Sequence, residues 1–376
     1  MKNPVFISLM MIGCVLIFGA CSSGGSDSGN TESFKLDATG TWTGRYTISG
    51  IGTKGFEASV VQTGSSLSGT ISIPSIDIAD ATLTGTVTGN RIEFGNIEKT
   101  ISFSGTAEED DTASGDYNIV YEGKTYTGSW EGVCIRAMVP GSSIDIPGYS
   151  YQGIAWDGNQ FWVSDGQILH GISKTGNETK TYSYNDLEFL YHSFNTLCWD
   201  GTHLWAVEDG YGDDFDKARF CLINVQNGEI EKNIDCPPDG SSPSIGGSIG
   251  IGPAWDGTYI WCLRCNQDMS YTIYKLKASD GSVQGTLSVP KDPLNEGGGI
   301  IMPGGFGFAE GTLLIVDRTG YIFKLRTSDG KVIQRYKYSN GSGSDLGGIC
   351  WDGSFYWIRD TTHSKLLEFP LPSGRL

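Results

Sequence analysis

No stretch of this sequence reads as a long amphipathic helix. The one markedly apolar run, Val5 to Phe18, is too short and too close to the start for a stable membrane span. Positive charge is scarce: 26 Lys and Arg stand against 43 Asp and Glu, a net charge of −17. Such a surface repels phosphate backbones, which excludes nucleic acid as a partner, and it repels anionic bilayers too. Any hold on a membrane must then be covalent. Histidine is limited to four residues, His170, His192, His203 and His363, with no metal-ligand spacing and no HExxH pattern. GxSxG, P-loop and Rossmann glycine patterns are missing from any strand–helix setting. What is abundant is glycine, 54 residues, with 10 Trp and 17 Tyr. Many glycines and aromatics with few charges indicate short strands joined by tight turns. A chain of 376 residues has room for two or three domains.

The N-terminus supplies a covalent attachment. Lys2 is followed by the apolar run and then by Phe18-Gly19-Ala20-Cys21. Small residues before a Cys, directly after an apolar run, resemble the lipobox of bacterial lipoproteins. The resemblance implies a signal peptide over 1–20, cleavage before Cys21 and acylation of that cysteine, since several acyl chains hold a protein on a bilayer without a helix. Ser22, in place of Asp, points to the outer membrane by the enteric sorting rule, facing either the periplasm or the cell surface. Residues 21–33 are the lipidated Cys and a Ser/Gly-rich flexible tether.

Seven cysteines remain: Cys134, Cys198, Cys221, Cys236, Cys262, Cys265 and Cys350, an odd number. Cys221 and Cys236 flank Asn227-Gly228 at similar distances, so a disulfide across a hairpin is one expectation. Cys262-Leu263-Arg264-Cys265 has CxxC spacing, but residues three apart on a strand point to opposite faces, against a redox or zinc role. Cys198 and Cys350 each precede a Trp and read as small core residues.

From 34 to 134, eight runs alternate with Gly-containing turns, beginning at Thr41 and closing near Glu131. Leu67-Ser68-Gly69-Thr70-Ile71-Ser72-Ile73 has the period of two that buries one face of a strand. Connectors such as Gly89-Asn90 and Glu122-Gly123 favour hairpins between neighbours. Eight strands in simple succession predict an up-and-down barrel. Gly40-Thr41-Trp42 at its opening resembles the GxW start of lipocalin-like barrels. With so many Ser, Thr and Gly the interior reads as narrow and filled, which suits a spacer or adhesion module. A small-ligand pocket is the other reading.

From 139 to 376 the sequence repeats. Trp156-Asp157-Gly158, Trp199-Asp200-Gly201, Trp255-Asp256-Gly257 and Trp351-Asp352-Gly353 are each followed by a second Trp, at 162, 205, 261 and 357. A degenerate copy starts at Phe308, and successive starts are 43, 56, 53 and 43 residues apart, a blade-like spacing. Each repeat contains four strands, but the last stops after three. Residues 142–147 read as the missing fourth strand, borrowed from before the first repeat to close the ring. The predicted fold is all-β: a small eight-stranded up-and-down barrel followed by a five-bladed β-propeller. The Trp-Asp-Gly units read as packing surface and turn, not as catalytic groups.

In this topology the 1–2 and 3–4 turns share one face, where they are short. The long segments, Asn185–Phe194, Asp209–Arg219, Cys236–Ile249 and Pro290–Pro303, lie on the other face, the one expected to carry function. Strand ends near it supply Gln152, Asp165, Asn195, Glu208, Asp209, Arg264, Asp317, Arg318, Arg359 and Asp360 as the candidate binding residues. Asp209, Asp213, Asp214 and Asp216 crowd into one loop, which reads as a solvated acidic segment; Ca²⁺ is the cation it would take otherwise. No other cofactor is expected.

Tyr151-Gln152-Gly153-Ile154-Ala155-Trp156-Asp157-Gly158, followed by Phe161-Trp162-Val163-Ser164-Asp165-Gly166, resembles the first blade of plant-type glutaminyl cyclotransferases, five-bladed propellers that convert N-terminal glutamine to pyroglutamate. The resemblance implies a catalytic Glu after the second strand; here that place holds Asp165, one methylene shorter. The leading expectation is a non-catalytic envelope lipoprotein that binds a protein, peptide or glycan through the propeller loops. The contrasting one is a cyclotransferase-like or lyase-like enzyme using Asp165 or Glu208. The anchor is directly testable: Cys21→Ala should move the protein from the membrane pellet to the soluble envelope fraction, and an unchanged distribution would remove the lipid from the account.

Overall fold

A computed structural model describes residues 36–146, 153–166, 168–184, 193–209, 218–237, 251–266, 270–289, 303–338 and 345–370. Cys21, the tether and the signal segment lie outside them, as do Gln152, Asp213, Asp214, Asp216 and most of the long loops. No helix among the described residues is long and apolar enough to cross a membrane.

Eight strands form the first body: β1 (Gly40–Ile48), β2 (Gly52–Thr63), β3 (Ser66–Ile73), β4 (Ile78–Thr88), β5 (Arg91–Asn96), β6 (Ile101–Ala107), β7 (Thr112–Tyr121) and β8 (Lys124–Met138). Each pairs antiparallel with the next, and β1 pairs with β8 from Thr41 opposite Ile135 to Tyr46 opposite Trp130, closing the barrel. Alternation sets the inside. In β2, Phe56, Ala58 and Val60 are buried while Glu57, Ser59 and Val61 face out. Phe56, Phe94, Phe103 and Trp130 pack ring on ring inside, with Phe94 stacked on Phe103 at 5.1 Å and Trp130 edge-on to Phe103 at 5.7 Å. Side chains fill this interior. Backbone close approach demands glycine in the wall: a Cβ on Gly105 would come within 2.3 Å of the Ser114 carbonyl oxygen.

The second body begins with β9 (Ser142–Asp145). Four-stranded antiparallel sheets follow: β10 (Ile154–Trp156), β11 (Phe161–Asp165), β12 (Ile168–Ile172) and β13 (Glu178–Ser183); β14 (Ser193–Trp199), β15 (Leu204–Asp209), β16 (Arg219–Ile223) and β17 (Ile230–Asp235); β18 (Ile251–Trp255), β19 (Tyr259–Cys265), β20 (Tyr271–Lys277) and β21 (Val283–Ser288). Next come β22 (Pro303–Ala309), β23 (Thr312–Asp317), β24 (Tyr321–Arg326) and β25 (Val332–Tyr338), then β26 (Leu346–Trp351), β27 (Tyr356–Asp360) and β28 (Lys365–Phe369). The last three take β9 as their fourth strand, with Lys365 opposite Asp145 and Glu368 opposite Ser142. The first strands lie against one another in a closed circuit, β10 to β14, β18, β22, β26 and back to β10. The result is a propeller-like ring of sheets.

The sequence did not reveal how the bodies join. β8 runs past Cys134 to Met138, and Arg136, Ala137 and Met138 pair in parallel with Tyr336, Lys337 and Tyr338 of β25. The barrel wall and the fourth propeller sheet are thus one twelve-stranded sheet. Met138 enters the core formed by Leu314, Val316, Ile322 and Tyr336. Arg136 is buried there, its guanidinium paired with Asp111 and donating to the Asp37 carbonyl at 2.9 Å. Arg335 donates to the Asp110 carbonyl at 2.7 Å, and Arg326 pairs with Glu109 at 3.0 Å. An acidic barrel turn therefore meets propeller arginines.

The expected hairpin disulfide is not formed: the turn over Asn224–Glu229 and a bulge at Leu222/Ile223 put Asn233, not Cys236, opposite Cys221. Cys221 is buried with its thiol against Glu208 Oε2 at 3.5 Å. Cys262 is buried too, and burial pushes its thiol up to about 12, unlike a redox thiolate. Cys198 and Cys350 are half-buried against the cores between sheets.

At the junction, Asp111→Ala would leave the Arg136 guanidinium buried without its carboxylate. Such losses cost about 3–5 kcal/mol, which urea unfolding would read. A cost of about 1 kcal/mol or less, the range of exposed pairs, would show that this pair does not hold the two bodies together.

Candidate functional site

The channel of the ring is built from a local rule. In Trp156-Asp157-Gly158, Asp157 Oδ1 accepts the backbone N–H groups of Asn159 and Gln160 at 2.8 and 2.9 Å, which shapes the turn, and Gly158 takes φ of +97°. Oδ2 accepts the indole N–H of Trp162 at 2.8 Å. The same bond recurs from Trp205 to Asp200 at 3.0 Å, Trp261 to Asp256 at 2.7 Å and Trp357 to Asp352 at 2.9 Å. With the indole N–H satisfied, the second Trp can be buried between sheets. Trp162 packs with Leu197 and Leu204, Trp205 with Ile260, Trp261 with Phe306 and Leu313, and Trp357 with Ile154 and Phe161. In the degenerate copy Leu314 fills this place, against Ile349 and Tyr356. An indole to bind is lacking there, and the turn shrinks to Glu310-Gly311, both at positive φ.

First strands run toward these turns and second strands run back, so the channel has two dissimilar ends. At the turn end, the first aromatic of every repeat, Trp156, Trp199, Trp255, Phe308 and Trp351, lines a cavity of about 120 Å³. All five are half-buried. Sequence reasoning treated these residues as packing and looked to the other face. The available signal was their equivalent position in every repeat, which in a closed ring must place them side by side.

At the loop end lie the residues expected to form the site. Glu208, Arg264, Asp317, Arg359 and Asp360 are buried, and Asp165 is half-buried at the end of β11. Several are tied within their own sheets. Glu208 is bound by the Arg219 guanidinium, Asp317 accepts the Thr319 N–H at 2.7 Å, and Asp360 accepts from His363 at 2.9 and 3.0 Å. Two reach across: Arg359 donates to the Ser164 carbonyl at 3.2 Å, and Arg318 pairs with Asp345 at 3.8 Å. Between the first and second sheets, Gly153 is flanked by Ser164 and Thr196. A Cβ on Gly153 would meet Ser164 Oγ at 2.6 Å and Thr196 Cα at 3.2 Å. Both hydroxyls are buried with no hydrogen-bond partner among the described residues. Neither was singled out by sequence as a binding residue. The side chains of Asn195 and Asp209 fall outside the described set. No cluster of His, Cys, Asp or Glu able to hold a metal occurs among the described residues.

Several solved structures resemble the chain. Myxococcus xanthus glutaminyl cyclase aligns with a TM-score of 0.46 and 12% identity over 62% of this chain and 95% of that one. A glucose dehydrogenase aligns at 0.41 and 9% over 62% and 100%. A catalytically inactive variant of virginiamycin B lyase from Staphylococcus aureus, with quinupristin, aligns at 0.33 and 16% over 88% and 96%. At such identities the likeness concerns fold alone. No protein-family model matches the chain, and no curated protein matches it in sequence.

Burial opposes ionisation of Asp352, but hydrogen bonds from Lys174, Trp357 and the backbone of Phe355 and Ser354 outweigh it and hold this carboxyl below its ordinary value of 3.8. The depressed folded-state value means that its stabilisation is complete above the unfolded value and is lost as pH falls through the folded one. Asp352→Asn should cost about 1–3 kcal/mol at neutral pH and flatten the acid-side decline in stability below about pH 4. Denaturant midpoints measured against pH would check both. An unchanged acid limb would assign the decline to other carboxylates.

Proposed function

We propose that this chain is a lipid-anchored protein of the bacterial envelope that holds a protein, peptide or glycan ligand at the loop end of its propeller channel without chemical turnover. The observation that carries this reading is two buried hydroxyls without a hydrogen-bond partner among the described residues: that of Ser164, beside Gly153, and that of Thr196, whose Cα flanks the same glycine. A buried hydroxyl left without a partner costs about 1–3 kcal/mol, which a ligand bringing a polar group there would recover. The Arg359 guanidinium, bonded to the Ser164 carbonyl, brings fixed positive charge to the same corner. Binding fits better than acid–base chemistry because Glu208, Asp317 and Asp360 are engaged in bonds that hold their own sheets. Attachment through Cys21 to the outer membrane would place this end within reach of envelope partners.

A soluble form starting at Ser22, used as bait in envelope extract, should retain a partner that Ser164→Val/Thr196→Val bait of equal melting temperature loses. Equal retention by both baits would move the site elsewhere. A glutaminyl peptide should remain uncyclised in the presence of the protein; its conversion to pyroglutamyl product would replace the binding reading with the enzymatic one. Chelator should leave the melting temperature unchanged, and a drop would bring Ca²⁺ at Asp209, Asp213, Asp214 and Asp216 into the description.

A further inference from the structure

The turn end of the channel has a chemistry of its own, independent of the loop end. Four tryptophans and a phenylalanine are among the residues that line one small cavity, and four of these five aromatics are followed directly by an aspartate: Asp157, Asp200, Asp256 and Asp352. The electron-rich faces of such rings attract cations, Trp most strongly, and a ring of carboxylates adds a negative field. The protein already makes this pairing once. The Lys174 ammonium sits 4.6 Å from the centre of the Trp156 ring while bonded to Asp352 Oδ2 at 2.7 Å.

The hydrogen bonding of the carboxylates narrows the class of cation. Each aspartate already accepts two backbone N–H groups and one indole N–H, close to the capacity of a carboxylate, about four sites. Asp352 accepts Lys174 as well. Charge is on offer, but few lone pairs are. A primary ammonium entering the collar would give up water without replacement for its N–H donors, which is costly. A quaternary ammonium has no donors to satisfy and presents methyl groups to the rings. Among the described residues, the positive groups near these aspartates are Lys174, paired with Asp352, Lys275, 5.0 Å from the centre of the Trp261 ring that Asp256 holds, and His203, whose Nδ1 lies 3.8 Å from Asp200 Oδ2.

We propose that the collar of Trp156, Trp199, Trp255, Phe308 and Trp351 is a binding site for a small quaternary ammonium compound, its methylated head seated in the channel mouth.

The test uses the full chain in non-ionic detergent, read by tryptophan fluorescence and titration calorimetry. The probes are tetramethylammonium, choline, methylammonium and 3,3-dimethylbutan-1-ol, the uncharged carbon isostere of choline. Both quaternary cations should bind saturably, with the isostere and methylammonium at least about tenfold weaker, the size expected of a desolvated cation–π contact. Trp199→Leu and the milder Phe308→Leu, each checked for an intact thermal transition, should weaken choline binding by about threefold or more, within the same range of magnitudes. Equal binding of choline and its isostere would reduce the collar to an apolar cavity and overturn the proposal. So would unchanged choline affinity in the folded Phe308→Leu protein, or the absence of saturable binding by either quaternary cation.

Discussion

The bond between an indole N–H and the carboxylate five residues before it is the constraint on which the ring depends. Trp carries a large apolar surface and one donor, and burying that donor unmatched would forfeit much of the gain. Asp157, Asp200, Asp256 and Asp352 remove the penalty and shape the turn that joins the two inner strands with the same carboxylate. The fourth sheet shows the rule by its exception. Leu314 replaces the indole, the aspartate is gone, and a two-residue turn takes over.

Cores between sheets would leave an arc unless its ends met. Closure comes from β9, whose pairing with β28 satisfies two edges that would otherwise face solvent. That strand follows immediately upon β8, and β8 is itself shared between the barrel wall and β25. The segment from Lys124 to Asp145 therefore closes the barrel, fuses it to the fourth sheet and completes the fifth. The barrel is in consequence an extension of the propeller rather than a body on a tether, and the Arg136–Asp111 pair is buried at the seam.

The two channel ends differ because strand direction sorts chemistry. Residues closing a first strand gather at the turns and are aromatic; those closing a second strand gather at the loops and carry charge. The rigid ring turns one repeat position into a collar, so a residue chosen for packing in one sheet becomes a cavity wall when five sheets converge.

Much of the fold was legible beforehand. Period-two alternation gave the barrel strands within a few residues, as with Ser66–Ile73, and the recurring Trp-Asp-Gly units marked the sheets. These features are local, so sequence records them directly. Of the candidate site, only positions were legible: Glu208, Arg264, Asp317 and Arg359 lie at the ends of second strands because strand ends can be counted. The Ser164–Thr196 pair escaped, since what distinguishes those hydroxyls is the absence of a partner, a property of their surroundings. The Cys221–Cys236 expectation failed because the turn over Asn224–Glu229 sits nearer to Cys221 than to Cys236, and the one-residue bulge at Leu222/Ile223 is too small to offset it. Sequence by itself determined which residues turn, which alternate and which units repeat, all of them read from relations within a few positions of chain or from a recurring pattern. Only the tertiary structure decided that β8 pairs with β25, that five aromatics line one cavity and that two hydroxyls are buried without a partner among the described residues, because each depends on groups that the chain brings close only when the ring shuts.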